Sequence, residues 1–202
     1  MAITALFWDV GGVLLTNAWD RNEREQAIRK FALDDIEFGD RHDMLVSSFE
    51  RGKISLDEYL ERTVFYRERP FSRLEFKDYM LSRSQPFPDV LEFAASLSRS
   101  CRFLMSTINN ESKGLNLYRI EKFHLGEIFS TFVSSCFVGL RKPEEGIYRL
   151  ALDITQRPPE ECCFIDDRPL NLEGAARVGM HVIRMQGVES LKAELAKLGV
   201  SS

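Results

Sequence analysis

The chain has 202 residues, of which 44% are apolar and 29% are charged, and its formal net charge is -4. This composition is that of an ordinary globular protein and excludes a disordered or fibrous chain. The length is sufficient for one core domain with a modest insertion. Lysine and arginine are scattered rather than clustered, so the chain has no basic surface for a phosphate backbone, and we expect no nucleic-acid partner.

Neither cysteine spacing nor hydropathy indicates secretion or membrane insertion. The four cysteines (Cys101, Cys136, Cys162 and Cys163) have no C-x-x-C spacing, and the apolar residues around them predict buried, reduced thiols. No stretch reaches the roughly 18 consecutive apolar residues of a membrane helix. The first residues lack the basic region of a signal peptide. We therefore expect a cytoplasmic protein with no membrane partner.

The first third of the chain predicts one strand followed by helices. Ala2–Trp8 is apolar and leads into Asp9 and two glycines, which is typical of a buried strand that turns sharply at its carboxyl end. From Asn17 to Gln85 charges are dense and apolar residues recur at helical spacing. Ser55 and Ser72 are each followed three residues later by a glutamate, the capping-box pattern of a helix start. We interpret residues 17–85 as an all-helical insertion.

The remainder alternates between strand and helix patterns, which favours a parallel sheet with helices on both faces. We predict a Rossmann-like, doubly wound α/β core formed by residues 1–16 and 86–202, with residues 17–85 as a helical cap. The predicted strands are Phe103–Met105, Phe132–Val133, Cys162–Ile165 and His181–Met185, and the predicted helices are Glu144–Ile154 and Leu172–Val178.

Polar residues follow several of these strands. Asp9 follows the first strand, Ser106 and Thr107 the second, and Asp166 with Asp167 the fourth. The carboxyl ends of central parallel strands meet in one crevice, where ligands bind. Carboxylates that converge there with a lysine, for which Lys142 is the candidate, are suited to holding a hard divalent cation and an anion.

Four motifs in order resemble those of the haloacid dehalogenase superfamily, in the branch with a helical cap after the first motif. The resemblance implies a magnesium-dependent hydrolase of small phosphate monoesters, such as sugar phosphates, that forms an aspartyl-phosphate. The motifs are Phe7–Leu14, Leu104–Ser106, Arg141–Pro143 and Phe164–Asp167.

The resemblance also implies roles for individual residues. Asp9 is the nucleophile, Lys142 offsets charge on the transferred group, and Ser106 donates to a phosphate oxygen. The predicted Mg²⁺ ligands are Asp9, the carbonyl of Gly11 and Asp167, with Asp166 as a supporting or alternate ligand, and the predicted substrate contacts are Gly12, Thr107 and Asn109.

One position departs from the usual phosphatase pattern. Gly11 stands where relatives commonly carry a second aspartate as general acid, and general acid–base catalysis contributes about 10²–10⁴-fold. Alkyl phosphates are therefore expected to turn over slowly, and Gly11→Asp is expected to accelerate them. Asp20 is a candidate substitute acid, although a helix N-cap is the simpler interpretation.

Two alternatives to a phosphatase stay open. One is carbon–halogen hydrolysis by Asp9, and the other is a phosphate-binding or regulatory module without useful turnover. The substrate and the oligomeric state do not follow from the sequence. Substrate selection is assigned to the cap, where the candidate contacts are Arg21, Arg24, Arg41, His42 and Arg51.

Overall fold

The centre of the computed structural model, which describes residues 2–201, is a parallel sheet of five strands in the order β3, β2, β1, β4, β5. Because the chain builds outward from β1 first to one side and then to the other, the crevice between β1 and β4 is a topological switch point. The predicted α/β fold class is confirmed. The strands are β1 (Ala5–Trp8), β2 (Leu104–Asn109), β3 (Thr131–Ser134), β4 (Cys162–Asp166) and β5 (His181–Arg184).

Helices connect all of the strands. Between β1 and β2 lie α1 (Arg21–Lys30), α2 (Asp35–Glu50), α3 (Leu56–Thr63), α4 (Arg73–Ser82) and α5 (Pro88–Arg99). Later connections contain α6 (Lys113–Lys122), α7 (Ser135–Val138), α8 (Glu145–Thr155) and α9 (Pro169–Arg177), and α10 (Val188–Lys197) follows β5. None of the helices within residues 2–201 has the length and apolar character needed to cross a lipid bilayer.

Both faces of the sheet are covered, which explains why β1 is apolar at every position. Leu6 and Trp8 pack toward α5 and α10 in one hydrophobic cluster. Ala5 and Phe7 point the other way and pack with residues of α8 and α9. This alternation follows from the two-residue period of a strand, and full coverage is typical of parallel sheets.

Helices α1–α4, here called the helical insert, have a hydrophobic cluster of their own that is rich in aromatic rings. The predicted capping residues lie at its helix starts: Ser55 accepts a hydrogen bond from the Glu58 amide, and Ser72 accepts one from the Glu75 amide. The helical character predicted for this segment is confirmed, whereas its division from the core at residues 17 and 85 stays a prediction.

One strand differs from its prediction in a way that affects the site. β2 was predicted to end at Met105, but it continues to Asn109. The polar residues Ser106 and Thr107 interrupt the apolar pattern, yet parallel pairing with β1 on one side and β3 on the other satisfies their backbone groups. The carboxyl end of β2 therefore lies several residues further along the chain than the sequence indicates.

Candidate active site

Asp9 lies at the carboxyl end of the central strand. Its amide donates to the Ile165 carbonyl at 2.9 Å, which extends the pairing of β1 with β4 by one residue. Its carboxylate oxygen Oδ1 accepts a hydrogen bond from the Val10 amide at 2.8 Å. The residue is 7% exposed and borders a cavity, so the carboxylate is held in place and is accessible from one side only.

Lys142 joins Asp9 to a second carboxylate. Its ammonium lies 2.8 Å from Asp9 Oδ1 and 2.7 Å from Asp166 Oδ2, and all three side chains are at least nine-tenths buried. Asn110 holds the lysine backbone on both sides, because its amide group donates to the Lys142 carbonyl and its Oδ1 accepts from the Lys142 amide, each at 2.9 Å. The loop that follows β2 therefore positions the lysine.

The two adjacent aspartates have different surroundings. Both oxygens of Asp166 are engaged, by the Lys142 ammonium, by the Arg168 amide at 2.8 Å and by the Asn171 side-chain amide at 3.0 and 3.1 Å. Asp167 Oδ1, in contrast, is buried without a hydrogen-bond partner in the described part of the chain. An unpaired buried carboxylate oxygen is costly, so Asp167 is the member of the pair with an oxygen free to bind a cation.

Carboxylates from Asp9, Asp166 and Asp167 converge, with one oxygen from each lying within 4.8 Å of the others. Gly12 makes room for this cluster: a Cβ at that residue would lie 2.5 Å from Asp167 Oδ2, and the backbone φ is +79°. Both the space and the left-handed conformation require glycine there. Oxygen donors at this spacing are the ligand set of a hard divalent cation.

Burial dominates the electrostatics of this cluster. Desolvation raises the pKa of Asp9 to about 7, against the opposing effect of the Lys142 ammonium. Burial also raises the pKa of Asp167, and the charge of Asp166 adds to the effect. For Lys142 desolvation acts to lower the pKa, but the Asp9 and Asp166 carboxylates outweigh it and the pKa is raised. Three carboxyl groups with a single ammonium leave the cluster short of positive charge.

A cavity of about 700 Å³ opens in front of Asp9 and Lys142. Of the predicted cap contacts, Arg21, Arg24 and His42 border it, together with Trp19 and Phe49, which are also residues of the first third of the chain.

The other two predicted cap contacts, Arg41 and Arg51, do not border the cavity. Arg41 hydrogen-bonds to Glu37, whereas Arg51 donates to the Gly139 carbonyl and pairs with Glu144. Arg51 therefore ties the helical insert to the core instead of facing the cavity.

A hydrogen-bond chain links Trp19, Tyr59 and His42 beside the cavity. Trp19 Nε1 can only donate, and it donates to the Tyr59 hydroxyl at 3.0 Å. The same hydroxyl also forms a hydrogen bond with His42 Nδ1, 2.7 Å away. Burial lowers the pKa of His42 to about 4, with Arg24 acting in the same direction. The cavity wall thus contains a neutral imidazole.

The family model of the haloacid dehalogenase-like hydrolases matches residues 3–179, a range that includes Asp9, Lys142 and both aspartates at the end of β4. The chain belongs to the haloacid dehalogenase-like hydrolases. The resemblance drawn from the four sequence motifs is confirmed.

Comparison with individual proteins places the chain among hydrolases of this family. Flavin mononucleotide hydrolase 1 of Arabidopsis thaliana is 29% identical over 161 residues, which cover 80% of this chain and 64% of that protein. Bifunctional epoxide hydrolase 2 of Sus scrofa is 24% identical over 217 residues, covering 98% and 39%. This chain thus spans less than two thirds of the length of either relative.

Solved structures support the fold assignment. A haloacid dehalogenase family enzyme of Bacteroides thetaiotaomicron superposes with a TM-score of 0.80 at 20% identity, covering 92% of this chain and 95% of that one. A second structure of that enzyme, in complex with magnesium and inorganic phosphate, gives a TM-score of 0.73.

In this haloacid dehalogenase-like hydrolase, the three site residues predicted on β2 lie within the strand, and their roles stay predictions. Ser106 donates its hydroxyl to the Thr131 carbonyl at 3.1 Å. Thr107 is fully buried, and Asn109 bonds to Asn116 and Ser134. All three lie within the strand because of the length of β2, and the residues that emerge at its carboxyl end come after Asn109.

Residues that the sequence motifs did not indicate border the cavity instead. Asn110 and Glu111 follow β2, Arg119 lies on α6, and Asn171 lies in the first turns of α9. A sequence prediction that extended β2 to Asn109 would have indicated Asn110 and Glu111 as site residues. Asp20 is the N-cap of α1, accepting from the Glu23 amide, as its simpler interpretation predicted.

Proposed function

We propose that this hydrolase is a magnesium-dependent phosphatase that cleaves small phosphate monoesters through an aspartyl-phosphate on Asp9. The main support is the buried arrangement of Asp9, Lys142 and Asp166 beside the unpaired Asp167. Phosphoryl transfer depends chiefly on positioning and on stabilisation of negative charge. A carboxylate nucleophile held against an ammonium and next to a cation site meets both requirements.

The residues present fit a magnesium ion. Asp9 and Asp167 would hold it together with the main-chain carbonyl of Gly11, and Asp166 would support the site from behind, since its oxygens are already engaged. When bound, the ion supplies positive charge that orients the phosphate and offsets its negative charge. The magnesium and phosphate complex of the Bacteroides thetaiotaomicron enzyme is consistent with this assignment.

The chemistry assigned to the chain has two steps. An Asp9 carboxylate oxygen attacks phosphorus as the bond to the leaving-group oxygen breaks, while the Lys142 ammonium offsets charge on the phosphoryl oxygens. Water then attacks phosphorus, the bond to Asp9 breaks, and inorganic phosphate is released. Asn110 keeps Lys142 in position through both steps by its paired backbone hydrogen bonds.

Substrate selection is assigned to the helical insert, acting as a cap over a core of residues 1–16 and 86–202. A cavity of about 700 Å³ falls in the range of small-molecule sites. Its aromatic and arginine residues suit a leaving group larger than a simple alcohol. Because the chain is related to a flavin mononucleotide hydrolase, flavin mononucleotide is the first substrate to test. The free cysteines are consistent with the predicted cytoplasmic location.

The test is a panel of phosphomonoesters, including flavin mononucleotide and sugar phosphates, assayed with Mg²⁺ and with EDTA. Phosphate release that requires Mg²⁺ is the expected result. The dehalogenase alternative predicts halide release from 2-haloacids that persists in EDTA, since the attack on carbon needs no metal. Halide release without phosphatase activity would overturn the proposal.

A further inference from the structure

The position of the missing general acid is next to a buried arginine. A Cβ built on Gly11 would lie 3.4 Å from Arg119 Nη1, and its nearest neighbour would be Asn17 Oδ1 at 2.8 Å. Gly11 and Arg119 both border the cavity. The region that a carboxyl at residue 11 would occupy is therefore faced by a guanidinium from α6.

Arg119 is fixed in that position. It is 2% exposed. Its Nε donates to the Ser84 hydroxyl at 3.0 Å and its Nη2 to the Thr16 carbonyl at 2.8 Å. Nη1, the nitrogen nearest to Gly11, lies 3.1 Å from Glu111 Oε2. Arg119 Nη1 thus lies between the Glu111 carboxyl and residue 11, the position at which relatives commonly carry the general acid.

Glu111 combines burial with access to the cavity. Its side chain is 13% exposed, and the residue borders the same cavity as Asp9. Its loop is held, because the Glu111 amide donates to the Ser135 hydroxyl at 2.9 Å and Oε1 accepts from the Ser112 amide at 2.9 Å. A carboxyl in this setting is positioned like a catalytic group rather than a solvated surface charge.

Burial brings the pKa of Glu111 close to neutral pH, where a carboxyl can both give and take a proton. Burial raises the pKa of Glu111 to about 7; the Arg119 guanidinium opposes this, and the Glu50 carboxylate adds to it. The nearby Cys136 thiol is neutral, because burial raises its pKa to about 12 while the Lys113 ammonium opposes the rise. Glu50 itself is paired with Arg141, 2.6 Å away.

We propose that Glu111, oriented by Arg119, is the general acid and base of the reaction in place of the missing acidic residue at position 11. As Asp9 attacks phosphorus and the phosphorus–oxygen bond to the leaving group breaks, the Glu111 proton passes to the leaving oxygen and yields the free alcohol. In the second step the Glu111 carboxylate takes a proton from the attacking water, which restores the acid as phosphate departs. This assignment depends on the proposed phosphatase function.

The test compares two phosphate esters of similar size, 4-nitrophenyl phosphate and benzyl phosphate, with the wild type and Glu111→Gln. The nitrophenolate leaves without a proton, whereas the benzyl alkoxide requires one. We expect kcat/KM for the benzyl ester to fall by about 10²–10⁴-fold and that for the aryl ester to fall far less. The matched control is Glu121→Gln, an exposed carboxylate on α6 outside the cavity, which should leave kcat/KM for both esters unchanged.

The pH profile provides the second readout. Because the acid form of Glu111 is required, benzyl ester kcat/KM should decline as the pH rises through about 7, and this decline should be absent in Glu111→Gln. Glu111→Asp keeps a carboxylic acid, so it should retain the decline and part of the benzyl ester activity even if the glutamine variant unfolds.

The outcomes separate the two proposals. Equal losses on both esters, or an unchanged benzyl ester rate in Glu111→Gln, would overturn the role of Glu111 while leaving the phosphatase assignment in place. If the wild type hydrolyses neither ester with Mg²⁺, the proposed function itself fails.

Discussion

The adjacent aspartates at the carboxyl end of β4, Asp166 and Asp167, should respond to substitution in opposite ways. Asp166 is fully buried and bonded to Lys142, Arg168 and Asn171, so Asp166→Asn leaves a buried ammonium with one carboxylate fewer. Removal of one partner from a buried ion pair costs about 3–5 kcal/mol. Because Lys142 keeps its contact with Asp9, we expect about 3 kcal/mol lower unfolding free energy.

Asp167→Asn should instead leave the metal-free protein nearly as stable as the wild type. Its Oδ1 is buried without a partner, so loss of the charge removes a desolvation cost rather than a favourable contact. Its effect should emerge with Mg²⁺. At 100 times its dissociation constant a ligand stabilises the folded state by about 2.7 kcal/mol, and Asp167→Asn should lose most of this gain.

The measurement is urea unfolding of the wild type and both variants, first in EDTA and then in excess Mg²⁺. In EDTA, Asp166→Asn should be the less stable variant. On addition of Mg²⁺, the unfolding free energy of the wild type and of Asp166→Asn should rise more than that of Asp167→Asn. Two results would refute the division of roles between the two residues. One is a similar loss of unfolding free energy for both variants in EDTA, and the other is a gain in unfolding free energy with Mg²⁺ that is as large in Asp167→Asn as in the wild type.

Three further substitutions test the site. Asp9→Asn should abolish phosphate release and phosphoenzyme formation while the thermal unfolding temperature is maintained, since a carboxamide is a poor nucleophile; activity close to wild type would exclude Asp9 as the nucleophile. Gly12→Ala places a Cβ 2.5 Å from Asp167 Oδ2 at a φ of +79°, so calorimetry should show weakened Mg²⁺ binding, and an unchanged affinity would contradict this. Gly11→Asp should raise alkyl phosphate kcat/KM by far less than the roughly 10²–10⁴-fold expected of a newly supplied general acid, because Glu111 already supplies the proton; a gain on the order of 10²-fold would show that no acid was in place.

The prediction for Gly11→Asp differs from the larger acceleration that the sequence led us to expect. The absence of an acid at residue 11 predicted a gap that a new aspartate would fill. In the structure, Arg119 faces that position and is itself bonded to Thr16, more than a hundred residues away in sequence. No local pattern relates an arginine on α6 to a glycine after β1, so the sequence could not indicate what takes the place of the missing side chain.

Much of the fold was determined by the sequence alone. The uninterrupted apolar run of β1 indicated a strand with both faces covered, and alternating strand and helix patterns indicated a parallel sheet. Ser55 and Ser72 marked helix starts because capping depends only on residues within one turn. The sequence also predicted that Asp9, Lys142 and the two aspartates at the end of β4 lie close together, because the ends of neighbouring parallel strands share one edge.

Tertiary structure alone decided which side chains at that edge face the cavity. The end of β2 is set by hydrogen bonding to β1 and β3, so the predicted Ser106 lies within the sheet while Asn110 and Glu111 emerge beyond it. Asp166 and Asp167 are chemically identical neighbours, and their different roles arise from partners on other elements. Strand and helix patterns depend on residues close in sequence, whereas strand ends and the burial of a particular charge depend on what the folded chain packs against it.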